Sequence, residues 1–356
     1  MKISIERGTL LKAVAQAQSV VERRNTIPIL ANVLIEAEGE SVSFRATDLD
    51  IEVVDRVSAH VERAGATTVS AVMLHEIVRK LPDGGLVQLI DDGVSGRLNV
   101  QCGRSSFALA TLPREDFPVM ASSEYASNFA APAGVLRRLF DKSKFAISTE
   151  ETRYYLNGVN FEFTPDVIVM TATDERRAIV LHQPYAAGET PTAPVASVIV
   201  PRELVAKLKV KIKSIETCVM TLTPSADGSP RRVTFEYCGE QISALAIGGV
   251  PFPAYRRIIP QTLSGKLAQF DPIYLADFAK ARAELKGSKA NKNGSDTPIV
   301  RYNGGDPALV DFAYDTGFQA IGVLMPVRDR TTPAPYAWAY AEPRAWPDAE
   351  PDAATL

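Results

Sequence analysis

Polar and apolar residues alternate from Lys2 to Glu6, as in a half-buried strand. After Gly8-Thr9 the spacing changes. Leu10, Leu11, Val14, Ala17, Val20 and Val21 form one helical stripe, which ends at Arg23-Arg24-Asn25-Thr26. Strand-like runs follow at 32–38, 41–46 and 51–61, with turns at Gly39 and Asp48-Leu49-Asp50. A second helix is predicted over 71–81, with Ser70 as N-cap and Val72, Leu74, Ile77, Val78 and Leu81 as its apolar positions; Pro82-Asp83-Gly84-Gly85 stops it. Strands near 87–90, 98–102 and 106–111 lead to Leu112-Pro113 and Phe117-Pro118.

The same order then recurs. A helix over 132–145 precedes strands at 154–156, 159–163, 167–173 and 176–182, and Val198 to Leu204 opens a further helix reaching about Lys211. Thr173-Asp174 stands 126 positions after Thr47-Asp48, and Phe252-Pro253 stands 135 after Phe117-Pro118. Landmarks in one order at near-constant offset indicate tandem units of about 125 residues. The second closes on Val250 to Pro260, whose three prolines exclude a central strand or a helix interior. It reads as a stiff connector on which something packs. Beyond it, Asp271-Pro272 starts a helix reaching about Leu285, and strands follow at 298–302, 309–314 and 318–325. The expected division is 1–122, 123–260, a shortened third unit 261–328, and a Pro- and Ala-rich tail 329–356 whose composition predicts disorder. Tyr336, Trp338 or Tyr340 in that tail is expected to fold back or to dock on a partner.

Composition narrows the function. The 356 residues are 46% hydrophobic and 23% charged, with a net charge of −3. Three cysteines without CxxC spacing argue against a disulfide framework or zinc site. The start carries no signal peptide and no apolar run is long enough to span a membrane, so a cytoplasmic location is expected. No catalytic constellation is visible. His60, His75 and His182 share no motif; there is no phosphate loop, HExxH or GxSxG; and Asp48, Asp50, Asp174 and Glu175 sit at turns where acids cap the backbone. No enzyme activity, metal or cofactor is expected. The helices, however, concentrate basic residues: Lys12, Arg79, Lys80, Arg137, Lys142, Lys207 and Lys209 among them. Tandem copies would set these along one face, which would attract phosphate backbone without reading bases.

Thr26-Ile27-Pro28-Ile29-Leu30, Ala46-Thr47-Asp48-Leu49, Gly103-Arg104-Ser105-Ser106-Phe107, Arg153 to Gly158, Ala172-Thr173-Asp174, Val200-Pro201-Arg202, Tyr255 to Pro260 and Met325-Pro326-Val327-Arg328, in this order, resemble the bacterial DNA polymerase III beta sliding clamp family. The resemblance is close over about 1–260 and partial over 270–328. It implies an α+β DNA clamp fold of tandem domains, with helices lining an inner face and antiparallel sheets outside. It further implies a homodimeric ring that slides on double-stranded DNA, tethers the polymerase III catalytic subunit and is placed by a clamp loader. Arg24 matches a DNA-contacting position; Lys12, Arg79, Lys80, Arg137, Lys207 and Lys209 are candidates from helix position. A pocket for partner linear motifs would be formed by Leu156, Thr173, Arg176, Arg177, Pro253, Ile258, Leu324, Met325, Pro326, Val327 and Arg328. Phe107 and Leu109 would lie at the dimer interface. The third unit departs from the family, because one half-repeat, whose helix helps form the ring interface, is missing. Glu175 also stands where a small residue is usual. A clamp-derived module that binds clamp partners without encircling DNA is therefore the alternative expectation.

Overall fold

The computed structural model describes residues 1–21, 26–119, 127–163, 167–184, 197–208, 217–223, 232–283, 299–312 and 319–327. The first unit contains β1 (Lys2–Glu6), α1 (Arg7–Gln18), β2 (Asn32–Glu38), β3 (Ser41–Thr47), β4 (Ile51–Ser58), β5 (His60–Arg63), β6 (Gly65–Ser70), α2 (Ala71–Lys80), β7 (Leu86–Asp91), β8 (Arg97–Cys102) and β9 (Ser105–Leu112). The second contains β10 (Ser127–Pro132), α3 (Ala133–Ser143), β11 (Gly158–Phe163), β12 (Val167–Thr173), β13 (Arg177–Pro184), β14 (Val198–Pro201), α4 (Arg202–Lys207), β15 (Thr217–Thr223), β16 (Arg232–Tyr237) and β17 (Glu240–Leu245). After residue 260 come α5 (Pro272–Ala283), β18 (Ile299–Arg301), β19 (Ala308–Phe312) and β20 (Gln319–Leu324).

Local chemistry sets the helix starts. The Glu6 side chain accepts from the Thr9 amide at 2.8 Å, and the Gly8 amide first, with this contact second, holds its carboxyl below the ordinary value. Ser70 caps α2 and Asp271 caps α5, the latter with proline in the first turn. Three expectations are corrected. Residues 154–156 belong to a 3-10 turn, Glu151–Leu156, rather than a strand. Val198–Pro201 is a strand paired with β11, so the following helix begins only at Arg202. The run over 51–61 breaks between β4 and β5.

Each full unit is two βαβββ halves. All strand pairings among the described residues are antiparallel, in sheets ordered β10-β15-β16-β17-β4-β3-β2-β6-β9-β8-β7-β1-β5 and β14-β11-β12-β13-β20-β19-β18. The units are joined through strands. β4 pairs with β17, Ile51 opposite Ala244; β13 pairs with β20, Arg177 opposite Leu324. Ile51 and Arg177 lie 126 residues apart, but Ala244 and Leu324 only 80. The last unit therefore supplies the joining strand of a second half without a first half before it. Its entry is built like the others: the Val327 amide donates to the Gln269 carbonyl at 2.8 Å, three positions before α5, as Ile247 donates to Ile199 at 3.0 Å, three before α4. The connector also hydrogen-bonds the β18–β19 turn, with Gly265 donating to Tyr302 and Gly304 to Lys266, and Phe270 stacks on Tyr302 at 5.9 Å.

The helices cover the sheets' core side. α1 packs on α2, β3 and β4; α3 on β12, β13 and α5; α4 on β11, β14 and β17. Phe140 meets Phe161 and Phe235, joining both halves of the second unit. Phe278 of α5 lies over Gly322, where an added Cβ would stand 2.4 Å from its ring, so only glycine lets the helix approach this closely.

The β4–β17 join contains a conflict of charge. Asp55 is buried directly opposite Glu240, and burial first, the neighbouring carboxylate second, pushes its carboxyl up to about 6. A raised folded-state value means that the ionised form opposes folding. Stability is therefore expected to rise as pH falls from 7.5 to about 5. Asp55→Asn should stabilise the chain by about 1 kcal/mol at pH 7.5 and flatten that rise in denaturation curves.

Candidate nucleic-acid and partner interfaces

The basic helix residues fall into two groups. Lys12 on α1 and Arg79 and Lys80 on α2 are exposed, and Arg79 pairs with Glu76 at 2.7 Å. Arg137 and Lys207 are half-buried and point at the ends of neighbouring helices. Arg137 pairs with Asp141 at 2.8 Å and donates to the carbonyl of Leu208, the C-cap of α4. Lys207 donates to the carbonyl of Ser19, the C-cap of α1. The same device recurs elsewhere. Arg7 donates to the Val78 and Arg79 carbonyls at the end of α2, at 3.0 and 2.7 Å, and pairs with Asp83. Lys142, fully buried, donates to the Ala281 carbonyl in the last described turn of α5.

A helix C-terminus carries unsatisfied carbonyls and a partial negative charge, so a cation there is stabilised. Arg137 and Lys207 are thus corrected from phosphate-facing to structural groups. Helical position alone cannot distinguish a lysine facing solvent from one facing a neighbouring helix end. Arg24 and Lys209 lie outside the described residues. Two further cations, Lys144 and Arg202, flank a cleft of about 400 Å³ with an apolar lining that includes Ile147 and Val205; Arg202 was not singled out by charge patterning.

The partner-pocket candidates divide in a similar way. Leu156 and Leu324 are buried and Thr173 nearly so. Thr173 donates to the Arg177 carbonyl at 2.8 Å while Asp174 accepts from the Arg176 and Arg177 amides, the same turn that Thr47 and Asp48 build in the first unit. This bears out the capping role expected of Asp48 and Asp174, not that of Glu175, whose side chain is turned to Arg153. The turn puts Glu175 in the left-handed region at φ 70, as it puts Leu49 at φ 83, and Glu175 pairs with Arg153. Arg177 is 12% exposed and committed. Its guanidinium pairs with Asp174 at 3.1 Å and with Asp277 of α5, and lies 4.6 Å from the Tyr274 ring centroid and 5.4 Å from that of Phe145. It pins α5 to the second unit and is not available to a ligand.

What remains open is a strip. The Met325 amide donates to the Arg176 carbonyl at 2.8 Å, which places the exposed Arg176 beside Met325 (37% exposed), Pro326 and Val327 (49%). Arg328 lies outside the described residues. Ile258, 38% exposed, lines a cleft of about 550 Å³ against Asn303, Asp306 and Pro307. Pro253 is half-buried in the connector, which is anchored by Glu162 holding Arg256 at 2.5 Å and the Tyr255 hydroxyl at 3.3 Å. On β9, Phe107 is 42% exposed, but Leu109 points into the core of its own unit. No group of three or more metal-ligating side chains occurs among the described residues, and none of their helices is long and apolar enough to cross a membrane.

Comparison with known proteins gives one answer. Residues 1–121 match the N-terminal domain, and 131–244 the central domain, of the DNA polymerase III beta subunit. A Caulobacter vibrioides protein named Beta sliding clamp is 42% identical over 299 residues, 83% of this chain and 77% of that protein. One of the same name from Escherichia coli K12 is 33% identical over 79% of this chain and 74% of its own length. Crystal structures of the DNA polymerase sliding clamp from Caulobacter crescentus (TM-score 0.78, 34% identity) and of the DNA polymerase III subunit beta from Pseudomonas aeruginosa (0.79, 25%) each cover 92% of this chain and are covered in full.

Proposed function

The chain belongs to the DNA polymerase III beta-subunit family, and on that premise we propose that it is a DNA sliding clamp, a non-catalytic processivity factor holding DNA polymerase on duplex DNA. The observation that carries this is the pair of strand-to-strand joins, β4 with β17 and β13 with β20, which link each unit to the next, with the helices packed on the sheets. Within it we assign residues 1–122, 123–260 and 261–328 as clamp units. We take Lys12, Arg79 and Lys80 as phosphate-facing groups, with Arg24 and Lys209 as further candidates. A cation layer of this kind holds phosphate electrostatically and leaves the bases unread, which permits sliding.

The partner site in this reading is the strip Arg176, Met325, Pro326 and Val327, with Ile258, Pro253 and Arg328 as flanking candidates and Leu156, Thr173 and Leu324 as its buried floor. Apolar exposure beside an arginine suits an extended motif carrying Leu or Phe and a polar group. The polymerase III catalytic subunit and a clamp loader are the partners assigned to it, in the cytoplasm. Met325→Asp is expected to weaken binding of such a peptide at least about tenfold.

The absent first half of the third unit supports a second reading, a clamp-derived module that binds the same partners without encircling DNA. Retention on circular and on linearised primed DNA separates the two. A clamp is expected to stay on circles, run off linear ends and raise polymerase processivity; equal retention on both would overturn encirclement and leave the module.

A further inference from the structure

We propose that Glu162 is the positioning residue of the partner site: its carboxylate holds the connector turn that carries Pro253 and Ile258. The inference deepens the partner-site reading above and rests on it. Val159 and Phe161 of β11 point into the core, so Asn160 and Glu162 face the other side of the strand, where the connector crosses. Three side chains converge on the Glu162 carboxylate. The Asn160 Nδ2 donates to Oε1 at 3.0 Å and the Tyr255 hydroxyl to Oε2 at 3.3 Å. Arg256 donates to Oε2 at 2.5 Å and to Oε1 at 3.5 Å, with its guanidinium 4.7 Å from the Tyr255 ring centroid. The Glu162 side chain is 17% exposed and Tyr255 is buried, so these bonds to a charged acceptor form largely out of water.

The hold on Tyr255 passes directly to the partner site. Tyr255–Arg257 is one 3-10 turn. The Tyr255 amide donates to the Pro253 carbonyl at 2.6 Å, the Arg257 amide to Ala254 at 3.0 Å and the Ile258 amide to Tyr255 at 3.0 Å. With these bonds made, the place of Tyr255 sets the places of Pro253 and Ile258, and Ile258 lines the 550 Å³ cleft beside Arg257.

The first unit solves the same problem differently. Asn32 opposes the cap Ser70 of α2, and Gly158 opposes Pro201, the residue before α4, so Leu34 holds the place of Asn160. There the closing segment is held by packing alone: Phe117 lies with Ile29, Leu30 and Leu34 in a small apolar cluster. The second unit has a buried asparagine instead, whose Oδ1 meets no donor among the described residues. An unpaired buried oxygen costs stability, and such departures from good packing are expected where function needs them. Here the asparagine orients the carboxylate, and a directional latch replaces an apolar contact at the unit that carries the partner strip.

Hydrogen exchange reads the latch without any partner. In Glu162→Gln the Arg257 and Ile258 amides should exchange at least about tenfold faster, while those of β12 and the unfolding curve stay as in the wild type. Binding is read with a dye-labelled pentapeptide, Gln-Leu-Ser-Leu-Phe, by stopped flow. A loosened turn lowers the fraction of molecules ready to bind, so the on-rate should fall about tenfold and the off-rate stay within about twofold. Met325→Asp, at a contact residue, should act on the off-rate instead. Tyr255→Phe removes one donor to the same carboxylate, so it should lower the on-rate alone but add nothing in the Glu162→Gln background. Unchanged exchange at Arg257 and Ile258, an effect confined to the off-rate, or additive effects of Glu162→Gln and Tyr255→Phe would each overturn the positioning role. A wild type that ignores the peptide while exchange responds to Glu162→Gln would overturn the partner site and keep Glu162 as the holder of the turn.

Discussion

Arg177→Ala is expected to release the third unit from the second and to cost about 3 kcal/mol of stability. The loss has three sources. Asp174 and Asp277 would share a junction without the cation they flank. The faces of Tyr274 and Phe145 would lose the guanidinium that covers them. The pin also sits where β13 begins to pair with β20, so its removal weakens the strand join at its first residue. Arg177→Lys keeps the charge but not the planar fork, and should recover less than half of the loss. Acid provides a second readout. Burial works to raise the Asp277 carboxyl, but hydrogen bonds from Arg177 and Lys280 outweigh it, and the net shift is downward. A lowered folded-state value means the contribution is present above the ordinary carboxylate range and lost as pH falls through the lowered value. Below about pH 4, beneath the window in which Asp55 acts, denaturation midpoints should therefore fall in the wild type and stay flatter in Arg177→Ala. An alanine variant with wild-type midpoints would remove Arg177 from its structural role.

Neutralising Lys12, Arg79 and Lys80 together is expected to reduce affinity for duplex DNA about 100-fold at low salt. The slope of log affinity against log salt should become shallower by about 3, because each phosphate contact contributes about 0.9. Arg137→Ala and Lys207→Ala are the informative controls. Both are basic residues on helices, yet both satisfy carbonyls at a neighbouring helix end. They should lower stability by about 1 kcal/mol each and leave the salt slope where it was. Titrations at several salt concentrations decide this; equal slope changes from both groups would return Arg137 and Lys207 to the DNA-facing set.

The contrast between those two groups shows where the sequence was readable. Periodicity located α1, α2, α3 and most strands of the first unit, because each turns one apolar face to a core and the alternation is local. The Thr47-Asp48 and Thr173-Asp174 turns were readable because a side chain caps its own backbone within four residues. β15, β16 and β17 escaped. β16 pairs with its chain neighbours, but β15 and β17 are flanked by β10 and β4, far away in the chain, which no local pattern names. The site was legible as a set of residues but not as a geometry. Arg177 carries the same sequence signal as Arg176; only the approach of Asp277 and Tyr274, about 100 residues on, makes one a pin and leaves the other exposed.

The strand joins carry a consequence of parity. Each join uses the last strand of two halves. The five halves among the described residues make two joins, β4 with β17 and β13 with β20, so β9 is the one last strand left outside a join.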